Sequence, residues 1–525
     1  MGCRRGRKNE GASVIFDASN QKLPLKLKVG LCVIGSGAGG AAAAMVAAEA
    51  GMDVLIIEAG PFVPPGVMNQ REEDMIPALL EANGGQTSSD RNCMIVQGRA
   101  LGGSTLHNIN LCKRIPEPIL REWQRERGME HLGLETWTAL YDEVESLLQV
   151  SQIPESQVSK HNQVFREGTK KLGWKGGLLS HNRSGCVQSG FCAVGCAYDA
   201  KNNAVKVMLP RILAAGAQIL THCKAVKLVQ ERGRVVGVDA RALDPLTRKP
   251  IGRVEIQCEQ VCVSGSATGS AALLLRSKIK DDSGSTGKGL TIHPALVAAG
   301  EFDESIEAWK GIPQSWECTQ FLDFERAHAE EPSTEIGIRT WIIPAFAHPM
   351  STATILPGWG DAHAELMQKY SRLAVLTGMI HDTSKGVVTP RQELEQRIDW
   401  KPNKGDRAEL LFGLKRSAEI LFAAGAKRVF VPSKKLLVLE SPADLDQVDQ
   451  IRLDAGEMPM TAVHPMSTVS MADDPLKGPV DSRGKHHHIE GLWVADGSLF
   501  PGSIGVPPQV SIYALGLHVG RAIAT

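Results

Sequence analysis

Apolar and polar positions follow two periods along this chain, and each change of period marks an element. In "LKVGLCVIGSGAGGAAAAMVAAEAGMDVLIIEAG", residues 27–60, the apolar run ending at Ile34 is unbroken, as expected of a parallel strand buried on both faces. Gly35, Gly37 and Gly40 follow at once, residues 41–50 are Ala-rich and helix-forming, and Gly51 stands where a left-handed residue closes a helix. A second apolar run ends at Glu58, so the stretch predicts strand, tight turn, helix and strand, a βαβ unit. Residues 261–279, "VCVSGSATGSAALLLRSKI", predict a strand, a Gly/Ser turn and an apolar helix that return the chain to the same sheet. Elsewhere "TEIGIRTWIIPAF", "SRLAVLTGMI", "GVVTP" and "RIDW" predict strands, and "RAELLFGLKRSAEILFAAGA" predicts an amphipathic helix. The expected fold class is α/β (α+β overall), a Rossmann-like domain joined to a second domain on an antiparallel sheet.

The glycines carry the first chemistry. Gly35, Gly37 and Gly40 form G-x-G-x-x-G between a strand and a helix, where side chains would obstruct a pyrophosphate and the helix N-terminus favours it. Ala38 opens that helix, and Glu58, about 20 residues on, is placed to accept hydrogen bonds from an adenosine ribose. This predicts dinucleotide binding without separating NAD from FAD. Residues 97–110, "QGRALGGSTLHNIN", add a second glycine-rich loop. "TAVHPMSTVSM" and the C-terminal "GLWVADGSLFPGSIGVPPQVSIYALGLHVGRAIA" complete the set.

With these segments in this order, the chain resembles the glucose-methanol-choline family of FAD-dependent alcohol oxidoreductases over nearly its whole length. "GLTIHP" and "GMIHDTSKGVV" are similar to the long-chain alcohol oxidase branch. The resemblance implies FAD with its ADP half on Gly35, Gly37, Gly40 and Glu58, an adenine contact from the backbone near Val226, and Asp496 on the central part of the cofactor. Gly102, Gly103, Ser104 and Asn108 match the loop that packs on the isoalloxazine, and His107 stands where some members attach FAD covalently and others do not. The FAD domain is then discontinuous, at 25–115, 200–300 and 455–525. Residues 116–199 form a connecting region with a Cys-rich loop at 184–196, and residues 301–454 form the substrate domain.

The implied activity is oxidation of an alcohol. His464 in "HPM" matches the family's catalytic histidine, and a reference pKa near 6.5 lets an imidazole take a hydroxyl proton at neutral pH. The family's second catalytic Asn or His is missing, because the turn reads "GVPPQV" with Pro507 in its place, and proline offers neither donor nor base. A neighbour such as Gln509 replaces it, or His464 works alone, or the protein is a non-redox member, a lyase or flavin-binding scaffold.

Cys186, Cys192 and Cys196 lie in "SGCVQSGFCAVGC" with spacing C-x5-C-x3-C, which resembles the cluster-binding segment of bacterial FAD-dependent glucose dehydrogenase subunits. That resemblance implies a [3Fe-4S] centre on the three thiolates and favours a dehydrogenase over an oxidase. Zinc with His181 or Asp199 as a fourth ligand, and unligated thiols, are the alternatives. "KHHH", residues 485–488, reads as an exposed turn.

Composition narrows the partners. Lys plus Arg and Asp plus Glu are both 58, so no net charge is available to hold nucleic acid or an anionic membrane. A small alcohol fits better, with a quinone, an electron-transfer protein or O2 as acceptor. No signal peptide or transmembrane helix is expected, and Gly6 occupies the place where a myristoylation signal after Gly2 wants Ser or Thr. A cytoplasmic, reducing location is the expectation, and eleven cysteines, an odd number, argue against a disulfide framework.

Overall fold

The computed structural model describes residues 15–356 and 358–525. The lipidation reading of Gly2 and Gly6 lies outside the described residues. Leu25–Ile34, Ala38–Glu49 and Val54–Ile57 form the expected strand, helix and strand, and Gly51 has the left-handed φ of 87° that ends the helix. Val54–Ile57 pairs in parallel with Leu25–Ile34 on one edge and with Gln218–Thr221 on the other. Pro250–Val263 runs parallel to the far side of Leu25–Ile34, with Val263 opposite Ile34, so it does return to this sheet. Antiparallel strands Arg234–Leu243 and Cys223–Glu231 extend that side, and Leu492–Val494 pairs in parallel with Pro250–Val263.

Two helices press together below the first glycine loop. The C-terminal helix Gln509–Ala524 lies on Ala38–Glu49, and the fit depends on missing side chains. A Cβ on Gly516 would lie 2.5 Å from the carbonyl oxygen of Gly39, and one on Gly520 would lie 2.9 Å from Cα of Ala43. Close backbone approach is what an Ala-rich surface against glycines permits.

The second sheet has nine strands, and those on its main path pair antiparallel. Ala295–Glu301, Leu373–Ile380 and Thr340–Pro344 form its centre. Ala295–Glu301 thus belongs to this sheet, although the sequence reading carried the FAD segment to residue 300. Cys93–Ile95, Met460–Ala462 and Gly176–Leu178 also join it, so all three FAD-domain segments and the connecting region contribute a strand. Gly386–Pro390 and Gln396–Asp399, expected in the antiparallel sheet, instead form a separate three-stranded sheet with Lys288–Leu290 and pack on the helix Ser266–Arg276. The predicted amphipathic helix is Lys404–Ala424; it covers the second sheet where Gly413 and Gly378 meet. Among the described residues, no helix is long and apolar enough to cross a membrane.

Candidate active site

One cavity of about 850 Å³ runs from the first glycine loop to the second sheet. Gly35, Gly37, Ala38 and Glu58 line one end, Gly103, Ser104, His107 and Asn108 the middle, and His464 the far part, beside Ala295, Ile343 and Met379. The glycines of the motif differ in purpose. A Cβ on Gly40 would lie 2.1 Å from the carbonyl oxygen of Gly35, so Gly40 serves helix-to-strand packing and does not line the cavity. Gly35 (φ 99°) and Gly102 (φ 101°) adopt left-handed backbone. Gly37 has an ordinary φ of −66°, and no protein atom lies within 4 Å of where its Cβ would be. Nothing in the protein requires a glycine there. The space beside it opens to the cavity, and the free N–H groups at the start of Ala38–Glu49 suit an anion such as a phosphate.

Ser36, which the sequence reading missed, ties the two glycine loops together. Its hydroxyl donates to Glu58 Oε2 at 2.6 Å and accepts from the Gly102 N–H at 2.9 Å. Glu58 Oε1 accepts from the Gly60 N–H at 2.9 Å, and burial pushes the carboxyl above its usual range. Asp496 is likewise buried with a raised pKa; it accepts from Ser270 Oγ and the Ser498 N–H while facing the cavity, so it is both a helix cap and a wall residue. The backbone contact expected near Val226 falls beside the cavity rather than at Val226 itself. The cavity wall there is Cys223, Lys224 and Ala225, and the Val226 side chain packs in the core.

The far part holds His464. His464 Nδ1 lies 3.1 Å from Nδ1 of His293, and Nε2 has no protein partner among the described residues, while the ring borders the cavity. Burial lowers the His464 pKa to about 3, so the ring is neutral at ordinary pH. Pro507 and Pro508 line the cavity nearby. Gln509 also lines the cavity, but its amide is engaged. Its Nε2 donates to the Leu111 carbonyl at 2.7 Å and to Asn182 Oδ1 at 3.2 Å, and its Oε1 accepts from Asn108 Nδ2 at 2.7 Å, which uses its amide to orient Asn108. The polar partner that His464 does have is His293, from the "GLTIHP" segment. His107 Nε2 is buried without a protein partner, and burial first, then Lys201, lowers its pKa to about 3.

The cysteine loop is a correction. Cys186, Cys192 and Cys196 surround a small recess of about 20 Å³, but among the described residues no three His, Cys, Asp or Glu side chains are arranged to hold a metal ion. Two sulfurs face their own loop, Cys186 accepting from the Gln188 N–H at 3.4 Å and Cys196 from the Ala200 N–H at 3.3 Å. Buried Lys201 lies beneath, its ammonium donating to the carbonyls of Leu106, Asn108 and Cys192. The [3Fe-4S] expectation, and zinc with it, therefore lacks a ligand set here. In "KHHH", His486 is buried and accepts from the N–H groups of His488 and Ile489, so this turn is not simply exposed.

The N-terminal GMC oxidoreductase profile matches residues 76–295 and the C-terminal profile residues 382–516. An uncharacterised GMC-type oxidoreductase of Mycobacterium tuberculosis is 29% identical over 510 residues, covering 97% of this chain and 77% of that protein. A long-chain-alcohol oxidase of Arabidopsis thaliana, FAO3, is 26% identical over 547 residues, covering 98% and 71%. The crystal structure of a pyridoxine 4-oxidase superposes with a TM-score of 0.68 at 19% identity, covering 94% of this chain and 99% of that one, which speaks for the fold. Matched by the N-terminal and C-terminal profiles over most of its length, this chain belongs to the GMC oxidoreductase family of FAD-dependent oxidoreductases.

Proposed function

We propose that the protein oxidises a lipophilic primary or secondary alcohol, with His464 as the general base at the substrate hydroxyl. The observation that carries this reading is His464 on the wall of the glycine-lined cavity, with Nε2 unpartnered by protein. Bound FAD supplies the chemistry of accepting a hydride from the carbinol carbon. The protein's own part is to hold the hydroxyl beside His464, take its proton and keep water away. Ala295, Val297, Ile343 and Met379 make the wall near His464 apolar, which favours an aliphatic substrate over a sugar. Asn108, held by Gln509, and His107, with its unpartnered Nε2, are the side chains of the second glycine loop that face the cofactor in this reading.

The acceptor is the second part of the proposal. The preference for a dehydrogenase rested on cluster ligands that the cysteine loop does not assemble, so peroxide formation and dye reduction are measured side by side. His464→Ala is expected to keep FAD and slow its anaerobic reduction by an alcohol by about 10² to 10⁴, the range of general-base help. Reduction at the parent rate would remove His464 from the reaction. Bound flavin that no alcohol in a broad panel bleaches would favour the non-redox reading raised by Pro507.

A further inference from the structure

What His464 can do with a proton is set by His293. Nε2 of His293 accepts the backbone N–H of Gly505 at 3.0 Å, and a backbone N–H only donates. Neutral His293 therefore carries its proton on Nδ1. That nitrogen faces Nδ1 of His464 at 3.1 Å, with the rings nearly perpendicular at 86°, so His464 Nδ1 accepts. Neutral His464 is left with its proton on Nε2, the nitrogen without a protein partner.

From this geometry we propose that His293 is a positioning residue that fixes the resting proton of His464 on Nε2. Substrate then meets a hydrogen-bond donor, and His464 becomes a base only when the pair exchanges tautomers. The proposal rests on the reading of His464 as the residue at the substrate hydroxyl. In the exchange the Nδ1 proton of His293 crosses to Nδ1 of His464, His464 releases its Nε2 proton to water in the cavity, and His293 takes a proton from water on Nε2, giving up the Gly505 bond, so each ring again holds one proton. Nε2 of His464 can then take the hydroxyl proton.

The backbone supports a positioning role. His293 has φ 50°, a left-handed conformation that a residue before proline rarely adopts, and Pro294 follows it. Asp382 holds it there, accepting the N–H of Ile292 at 3.0 Å and of His293 at 3.1 Å. Burial, then His464, lowers the His293 pKa, so both rings are neutral. Among the described residues, Asp382 and His381 also face the pair, the His381 ring meeting His293 edge-on at 6.3 Å. His381 in turn bonds Ser503 and His328, which bonds Glu122, and Arg339 and Lys385 act on it at longer range.

The test is His293→Asn in the holoenzyme, with His293→Phe beside it. The introduced amide can turn either its NH2 or its oxygen to His464, whereas the phenyl ring can do neither. On acidification, the midpoint for loss of flavin reduction is expected to rise by about one pH unit or more in the Asn variant, because its carbonyl can accept from imidazolium Nδ1–H, and not in the Phe variant. Independently of turnover, 15N-histidine NMR of substrate-free parent holoenzyme is expected to show His464 protonated on Nε2 and bare on Nδ1. A resting His464 protonated on Nδ1, or midpoints equal in parent and Asn variant, would overturn the proposal. Absence of reduction by every alcohol, with the Nε2–H signal intact, would sink the alcohol reading and leave the assignment of His293 standing.

Discussion

At Gly37 a single missing side chain separates a requirement of the ligand from a requirement of the fold. Its φ of −66° suits any L residue, and the space beside it is open in the protein. Gly37→Ala is therefore expected to leave stability unchanged or raise it by about 0.4–1 kcal/mol, the usual gain from a less flexible unfolded chain. If FAD runs past this glycine, as the proposed function has it, FAD content is expected to fall, because the added methyl group would stand in its path. Denaturant unfolding of the apoprotein and the flavin-to-protein absorbance ratio check both halves. Full FAD occupancy in a stable variant would show that the open space at Gly37 belongs to something other than the dinucleotide. Ser36 illustrates the opposite case, since its hydroxyl joins Glu58 to Gly102, a link between loops 66 residues apart.

At the scale of elements, the cofactor loop is only as well placed as the helix that follows it. Ala38–Glu49 is held by Gln509–Ala524 through Gly516 and Gly520, where a Cβ would collide with the facing helix. Gly520→Val is expected to cost about 1–3 kcal/mol, the range for overpacking a closed interface. It is also expected to lower FAD occupancy, although residue 520 does not line the cavity, because the helix carrying the loop must shift. A denaturant midpoint equal to the parent's would mean that the two helices separate at no cost. The same interface explains why a segment at the far end of the chain returns to the first glycine motif.

For the whole molecule, buried histidines decide the response to acid. Burial lowers His107, His181 and His464 to about 3 and His161 and His486 to about 4, against a reference near 6.5 in the unfolded chain. Below that reference the unfolded state binds protons that the folded state refuses. Stability is therefore complete above about pH 6.5 and is lost as pH falls toward the folded values, at about 1.4 kcal/mol per pH unit for each proton taken up. Buried carboxyls work in the other direction: Asp382 is raised to about 6, by burial first and then by Asp406, and Glu58 and Asp496 are raised by burial. The histidines outnumber them, so the protein is expected to lose stability as pH falls from 7 to 5. Urea unfolding at several pH values measures it, and a flat profile would mean that these rings are charged or exposed.

The sequence by itself determined the βαβ unit and the two glycine loops, because each is local, and the family, because its segments recur in order along the whole chain. A strand, a turn and a helix within about 30 residues follow from hydrophobic period and glycine placement, and "HPM" is a contiguous signal. Tertiary structure alone decided which groups meet across long separations. His293 and His464 are 171 positions apart, and neither the backbone bond from Gly505 nor the Asp382 support leaves a mark in local pattern. "GLTIHP" supplied the one available signal, a histidine before proline. Spacing brought Cys186, Cys192 and Cys196 close along the chain, but the direction of each sulfur depends on loop backbone and on Lys201 packed beneath. The fate of Gln509 was hidden for the same reason. A side-chain amide has a few hydrogen-bonding positions, and which neighbours fill them is settled only when Asn108, Leu111 and Asn182 are folded against it.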